Sequence, residues 1–549
     1  MSVVTATITS DGQMVDPEFE LLYIDVVHEY NKISSAELGY LDGDAATQEY
    51  RVSDSAFFQP GAEIEIKLKY EGERSSSKTV FKGVVLKHAL QSNAGGCVFV
   101  TELTDKAVKM TAVRKSAVNE KIKDSDIISK LIAVNGLEGT VEATEVTHEK
   151  LVQYNVTDWD FMVSRAEVNG LLVATDNGNI SAKKPSLTGS PVLSLMPGID
   201  EVYEFELEAD ARSQYKKIQS SSWDVKKQQL TGLTSAAAFS LKQGNLSPEK
   251  LALVTNGEDT LISVVSFGEK EAQAWANAKM VRSRLSMLKG RVKISGTAVV
   301  KVGDLIELRG VGKRFSGTTL VSGIRHQLTG GGWSTDIQFG VDAEWFLSKN
   351  TNVVTPKAAG LLPGINGLQI GVVEKFEEDQ EKENRVKVMV PAMGEEKAIL
   401  WARLISLDAG NNRGVAFWPE PGDEVILGFL NDDPRQAVIL GSVHSSAKPS
   451  PVKPVEKNPE KGIVTKEGLK MMFNDEKKTI IISTSDNSVI TINEKEKSIE
   501  IKDANKNSIL LSNQGISLKS DKDIIIKSGA NVNIEGKAVE IKGNKVDVI

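Results

Sequence analysis

Over residues 520–549, SDKDIIIKSGANVNIEGKAVEIKGNKVDVI, aliphatic residues come in pairs separated by one residue: Ile524 and Ile526, Val532 and Ile534, Val539 and Ile541, Val546 and Val548. The polar positions between the pairs hold Lys, Asp, Asn or Gly. Alternation of this kind predicts short strands with one apolar face. The pattern starts earlier, with Ile499 and Ile501, Ile509 and Leu511, Ile516 and Leu518, and with Val489 read together with Ile492, so short strands are expected across 479–549. No helical pattern lies nearby to cover their apolar faces. A single-chain solenoid could stack its own coils, but such coils usually run to about twenty residues. Strands of this shorter period fit better as one face of a triangular prism wound from several copies. The reading is an intertwined homotrimeric β-helix, stiff and free of lateral edges.

Two stretches read as linkers. Residues 350–367, NTNVVTPKAAGLLPGING, and 445–460, SSAKPSPVKPVEKNPE, are rich in Pro, Gly or Ser, which favours extended backbone over a packed element. They divide the chain into 1–349, 368–444 and 461–549. The first region is mostly strands. Two helices are expected in it: one over 125–136, capped by Ser125 and stopped by Gly136, and one over 269–289, with Ala274, Ala278, Val281, Leu285 and Leu288 on one face and Gly290 as its stop. It also holds a weak internal repeat. PGAEIEI (60–66) resembles VGDLIEL (302–308); each is followed by a strand ending near a histidine, His88 or His326, and then by a glycine turn and another strand. Two related barrel-like subdomains would explain this. In the middle region five strands are expected, at 385–390, 399–404, 414–418, 424–429 and 437–440, which suits a small Greek-key barrel of the OB type. The fold class is therefore mainly β with minor α: two barrel-like hub subdomains, an OB barrel and a C-terminal β-prism needle.

Composition narrows the function more than the fold. With 549 residues the chain exceeds a single core. Its net charge of −8 disfavours a nucleic-acid partner, because phosphate binding needs a basic face. The single cysteine, Cys97, excludes an intramolecular disulfide and reads as a buried strand residue. The start, MSVVTATITSDGQ, lacks a secretory pattern, and no apolar run is long enough to span a membrane. The protein is expected in the cytoplasm when made.

Candidate chemistry is sparse. GVGKRFSG (310–317) has the glycines of a phosphate loop but not their spacing, and reads as a hairpin turn. LDGDAATQE (41–49) clusters acids without calcium-loop spacing. His28, His88, His148, His326 and His444 have neither H-x-x-x-H spacing nor cysteine company. No catalytic residue, cofactor or metal site is expected.

The middle region carries a resemblance. RVKVMVP, WARL and GVAFWPEPGDEVILGFLNDDPRQAVILGSV resemble the OB domain of VgrG proteins, the spikes of type VI secretion systems, and equally the spikes of extracellular contractile injection systems and the fused hub and puncturing proteins of myophages. Arg385, Trp401, Arg403, Pro421, Gly422, Pro434 and Gly441 fall on that motif as structural positions, with NDDP replacing the usual G-D-P and Ala437 a common proline. LVQYNVTDWDFMVSRAEVNGLL (151–172) and RGVGKRFSGTTLVSGIRH (309–326) are similar to two hub segments. The resemblance implies a trimeric hub over 1–349, pseudo-sixfold, seated on a hexameric inner-tube protein within the baseplate. It implies a needle that pierces a target envelope on contraction and is expelled with the tube. Some relatives carry a peptidoglycan hydrolase between barrel and needle. Here about 17 residues separate the two, which leaves no room for such a domain. The strand pattern runs to Val546, Val548 and Ile549 without a polar cap, so a PAAR-like tip protein, which could carry an effector, is expected to dock there.

Overall fold

The computed structural model describes residues 3–44, 47–71, 77–93, 96–394 and 398–547. It divides into two compact units, Met1–Pro356 and Lys357–Ile549.

The first unit is built on one continuous sheet. Its strands of four or more residues are β1 (Val4–Ser10), β2 (Leu21–Glu29), β3 (Ser35–Leu41), β4 (Glu63–Tyr70), β5 (Lys78–Asn93), β6 (Gly96–Thr104), β7 (Val202–Ala209), β8 (Leu288–Ser295), β9 (Leu305–Leu308), β10 (Gly317–Thr329) and β11 (Gly332–Phe339). The ladder runs β7-β8-β11-β10-β2-β3-β6-β5-β4-β1, with β9 on the start of β10. Alternation works here as the sequence pattern requires. Glu63, Glu65 and Lys67 of β4 face away from the core while Ile64, Ile66 and Leu68 are almost fully buried. One core gathers under β1–β6 around Phe58, Phe81 and Phe99; another gathers under β7–β11 around Ile306, Val321 and Ile337.

The internal repeat is visible in the register. Gly61 and Gly303, with φ of 99° and 98°, occupy the turn before β4 and before β9, a conformation that glycine adopts without strain. Their N–H groups donate to the carbonyls of Val85 and Val321. A bulge follows each valine directly, between Val85 and Lys87 and between Val321 and Gly323. Counting from these valines corrects the alignment of histidines: His88 corresponds to Ile324, and His326 to Leu90. The two related halves share one ladder through β10 and β2.

Two insertions interrupt this sheet. The first holds α1 (Asp124–Val134) and α2 (Asp158–Val168) on a core of Ile127, Ile128, Met162 and Val163. Ser125 is not the cap of α1. The helix starts one residue earlier, and the Ser125 N–H donates to Thr144 Oγ1, so a distant side chain satisfies the helix start. The second insertion ends in α3 (Glu269–Leu285), shorter than expected. Leu288 and Gly290 belong to β8 rather than to the helix end. A Cβ at Gly290 would sit 2.3 Å from the Glu206 carbonyl, so this glycine admits a neighbouring strand instead of ending a helix.

The second unit begins with a closed barrel of β12 (Gln369–Val373), β13 (Arg385–Met389), β14 (Ile399–Leu404), β15 (Glu424–Phe429) and β16 (Ala437–Ser442). Its core is Val373, Val388, Ala402, Val425, Leu427 and Ile439. The strand expected at 414–418 is absent and β12 takes its place. Gly414 closes a two-residue hairpin with Ala409, and Val415, Phe417 and Trp418 then run exposed along a loop. After residues 443–459 come β17 (Glu460–Val464), β18 (Lys470–Asn474), β19 (Thr479–Ser483), β20 (Val489–Asn493), β21 (Ser498–Lys502), β22 (Ser508–Ser512) and β23 (Gly515–Lys519), an antiparallel meander in sequence order.

Candidate functional site

The meander sorts its side chains by face. Opposite residues in an antiparallel pair share a face. Met471 pairs with Ile482, Ile482 with Ile490, Ile490 with Ile501, Ile501 with Ile509 and Ile509 with Leu518. Beside this row runs a second: Phe473, Ile480, Ile492, Ile499, Leu511 and Ile516. The rows form one apolar face two residues wide. The opposite face carries Met472, Ile481, Thr491, Glu500, Leu510 and Ser517 in its central row, a mixture of apolar and polar residues. Val489 lies on that opposite face, so the apolar pair in β20 is Ile490 with Ile492, not Val489 with Ile492. The face also begins earlier than expected, with Ile463 in β17.

None of this face is buried. Ile490, Ile499, Ile501, Ile509 and Leu511 are each about two-fifths exposed, and Ile516 and Leu518 more so. The sheet is one layer thick, and among the described residues no other element packs on this face. Such a contiguous apolar surface marks an interaction site.

The turns explain how five-residue strands reverse so closely. Lys478, Asn487, Lys497 and Lys506 all take positive φ, between 49° and 69°. Asp503 organises the turn after β21 by accepting from the backbone N–H groups of Asn505 and Asn507. Past β23 this changes. Over 520–547 no ladder forms among the described residues, although the backbone bends at 521–522, 529–530, 537 and 544. Each bend precedes one expected apolar pair. Ile524, Ile526, Val532, Ile534, Val539 and Ile541 are 51–71% exposed and Val546 is 50% exposed. These residues pair with no strand among the described residues, although a repeat of seven can hold a hairpin, as Ser508–Ser512 and Gly515–Lys519 show. Val548 and Ile549 lie outside the described residues.

The barrel residues singled out from sequence hold the scaffold together. Arg385 on β13 stands opposite Arg403 on β14, and Lys387 opposite Trp401. Both cations lie over the Trp401 ring, at 5.6 and 5.2 Å from its centroid. Arg385 also donates to both oxygens of Asp379, at 2.7 and 3.1 Å. That contact, with backbone donors from Arg385, Glu381 and Glu383, holds the Asp379 carboxyl well below its ordinary range. Gly422, at φ 83°, makes the turn into β15 after Pro421, and its N–H donates to the Val373 carbonyl. Pro434 sits between Asp433 and Arg435, whose side-chain pairing pulls the Asp433 carboxyl down to about 2. Gly441 lies on β16 opposite Ile426 beside a bulge. These contacts shape loops and do not converge on a reacting centre. Among the described residues no group of three or more His, Cys, Asp or Glu side chains could hold a metal ion.

Residues 1–330 match the family described as the Alg8 N-terminal domain. Residues 369–444 match the type VI secretion system/phage-baseplate injector OB domain, which bears out the resemblance read from the barrel motif. No curated protein matches the chain. Among solved structures it is similar to the 43 kDa tail protein of prophage MuSo2 from Shewanella oneidensis, at 13% identity over 62% of this chain and 99% of that one, TM-score 0.47. It is similar to E. coli c3393, a type VI secretion component, at 12% identity over 79% and 99%, TM-score 0.41. It is also similar to a chain of the Francisella PdpA-VgrG complex, at 10% identity over 94% and 87%, TM-score 0.41.

Proposed function

Since this chain belongs to the family of the Alg8 N-terminal domain and carries an injector OB domain behind it, we propose that it is the homotrimeric spike of a contractile injection machine. The carrying observation is the two-residue-wide apolar face of β17–β23, uncovered in one chain. Three copies placing these faces inward around one axis would bury it. The same closure would give the 520–547 backbone its missing strand partners, since backbone groups removed from water must be paired.

In this reading the first unit caps a hexameric inner tube and joins it to the baseplate. The barrel carries the needle, and the needle transmits the thrust of sheath contraction into a target envelope. A PAAR-like protein would close the tip at Val546, Val548 and Ile549 and could bring an effector. The spike waits in the cytoplasm within the particle and leaves on firing. Its work is mechanical rather than hydrolytic, in keeping with the 17 residues, 443–459, between β16 and β17.

Electron cryomicroscopy of particles from cells with and without this chain tests the proposal. Density for three copies at the tube tip, and loss of assembled tubes on deletion, is expected. Particles that assemble and fire without the chain would overturn it. Purified protein is expected to leave peptidoglycan intact in a turbidity assay, and reproducible clearing would restore the hydrolase alternative.

A further inference from the structure

The end of the first unit is held down in a different way from the rest of it. Residues 341–355 follow the strand β11 and lead towards the second unit, which starts at Lys357. Their regular structure is one helical turn, Phe346–Lys349, and one 3-10 turn, Thr351–Val353. Of these residues only Val353 is buried, while Leu347 and Val354 are exposed. A segment with so few buried apolar contacts belongs to the low end of local stability.

Side chains reaching out from the two insertions fix it instead. At its start, the Val341 N–H donates to the Leu285 carbonyl of α3 at 3.1 Å. Trp345 then lies against Lys279 and Arg282 of α3, whose cations are 5.9 and 5.7 Å from its ring centroid. Arg282 donates to the Glu344 carbonyl, and Glu167 of α2 accepts from the Phe346 N–H at 2.6 Å. At its end, Arg114 donates to the carbonyls of Asn352 and Val353, and Asn155 Nδ2 donates to Thr355 Oγ1 at 3.2 Å. Arg114 and Asn155 belong to the paired strands Arg114–Lys123 and Thr147–Thr157 of the first insertion.

The charged anchors keep partners of their own in the hub. Glu167 and Arg282, 4% and 5% exposed, form an ion pair with one another. Arg114 also donates to the Asn155 carbonyl at 2.8 Å. Lifting the segment away therefore strands no lone buried charge, which is what makes breaking a buried pair so costly. A cavity of about 320 Å³, lined by Tyr30, Glu167, Arg282, Gln338, Asp342 and Phe346, leaves the segment incompletely packed.

We propose that residues 341–355 are a releasable strap that stores slack between the hub and the barrel. Held, the strap keeps the connection short. Released as one unit, its fifteen residues extend to as much as about 50 Å. Tension drawing the barrel from the hub then peels the strap before any strand of the hub sheet gives way. Its anchors all lie in one chain, so it works alike in a monomer and in a trimer.

Hydrogen exchange in the full chain tests this. The amides of Phe346, Lys349, Asn350 and Val353 are all hydrogen-bonded in the held strap. They should open together, with protection at least tenfold below that of Met162 and Val163 in α2. Val353→Asp removes the buried plug near one end. It should speed exchange at least tenfold at Phe346, near the other end, while α2 and β11 keep their rates. Arg114→Ala should do the same, and takes the place of Val353→Asp if that variant fails to fold. Acceleration confined to 351–355, or spreading into β11, would refute a strap that releases as one unit. Strap amides as well protected as those of α2 in the unmodified chain would refute it too.

Discussion

The first unit and the needle follow the same rule of alternation and reach opposite outcomes. In β4, every second residue is apolar and essentially sealed from water. In β20 and β21, Ile490, Ile492, Ile499 and Ile501 alternate equally cleanly and stay about two-fifths exposed. The difference is the second layer. The hub sheet curls over its own cores and takes insertions and helices against it; the meander has one layer only. Alternation therefore specifies which face will be buried, and connectivity decides whether the cover lies in the same chain.

Removing residues 460–549 gives the largest expected effect. Full-length protein should resist dissociation in warm detergent and the truncated protein should run as separate chains, while the circular dichroism of the hub persists. A truncated protein equally resistant would mean that the hub, not the needle, sustains the assembly.

Single substitutions sharpen the same contrast. Ile490→Asp places a carboxylate on the apolar face in every copy, where burial without a partner should cost about 3 kcal/mol or more per assembly. Thr491→Asp, one residue on and on the other face, should change stability by less than about 0.5 kcal/mol. Equal drops in melting temperature would place the inward face elsewhere.

The hub carries a buried histidine, an acid-sensitive group of a type that residues 460–549 do not contain. His326 lies in the hub core with Nδ1 3.0 Å from Thr335 Oγ1. Burial, and next the charge of His28, push its pKa down to about 3. Its unfolded value is near 6.5, so between these values the unfolded chain takes up a proton that the folded hub refuses. Hub stability should then fall as pH drops from about 6.5 towards 3. His326→Leu, the apolar type found at the equivalent Leu90, should flatten that acid slope in thermal melts. An unchanged slope would assign it to other groups.

The smallest effect lies in the needle turns. Lys497 takes φ 49°, where a Cβ is strained. Lys497→Gly should raise needle stability by about 0.5 kcal/mol per copy, read as a slightly later detergent-dissociation midpoint; a decrease would show that the lysine side chain matters more than its backbone.

Much of this architecture was legible in the residues because strands of period two announce their faces directly. The barrel motif located four of five barrel strands, but QIGVV at β12 hid behind a linker, and GVAFW, apolar throughout, was read as a strand although it is a loop. Ser125 and Gly290 misled because their roles are set by distant partners, Thr144 and the Glu206 carbonyl. The Val489 pairing failed because Val489 and Ile490 are both apolar, so only the register shows which of them joins Ile492; elsewhere lysines at 478, 497 and 506 take left-handed positions where Gly or Asn would have marked the reversals. The strap could not be seen at all in the residues, since Arg114, Glu167 and Arg282, which hold it, lie far from it in sequence.

The central claim is that the needle face is covered by further copies of this chain. Mass photometry of the purified full-length protein near micromolar concentration tests it most directly. A single species at three chain masses is the result expected; a stable monomer under those conditions would contradict the account.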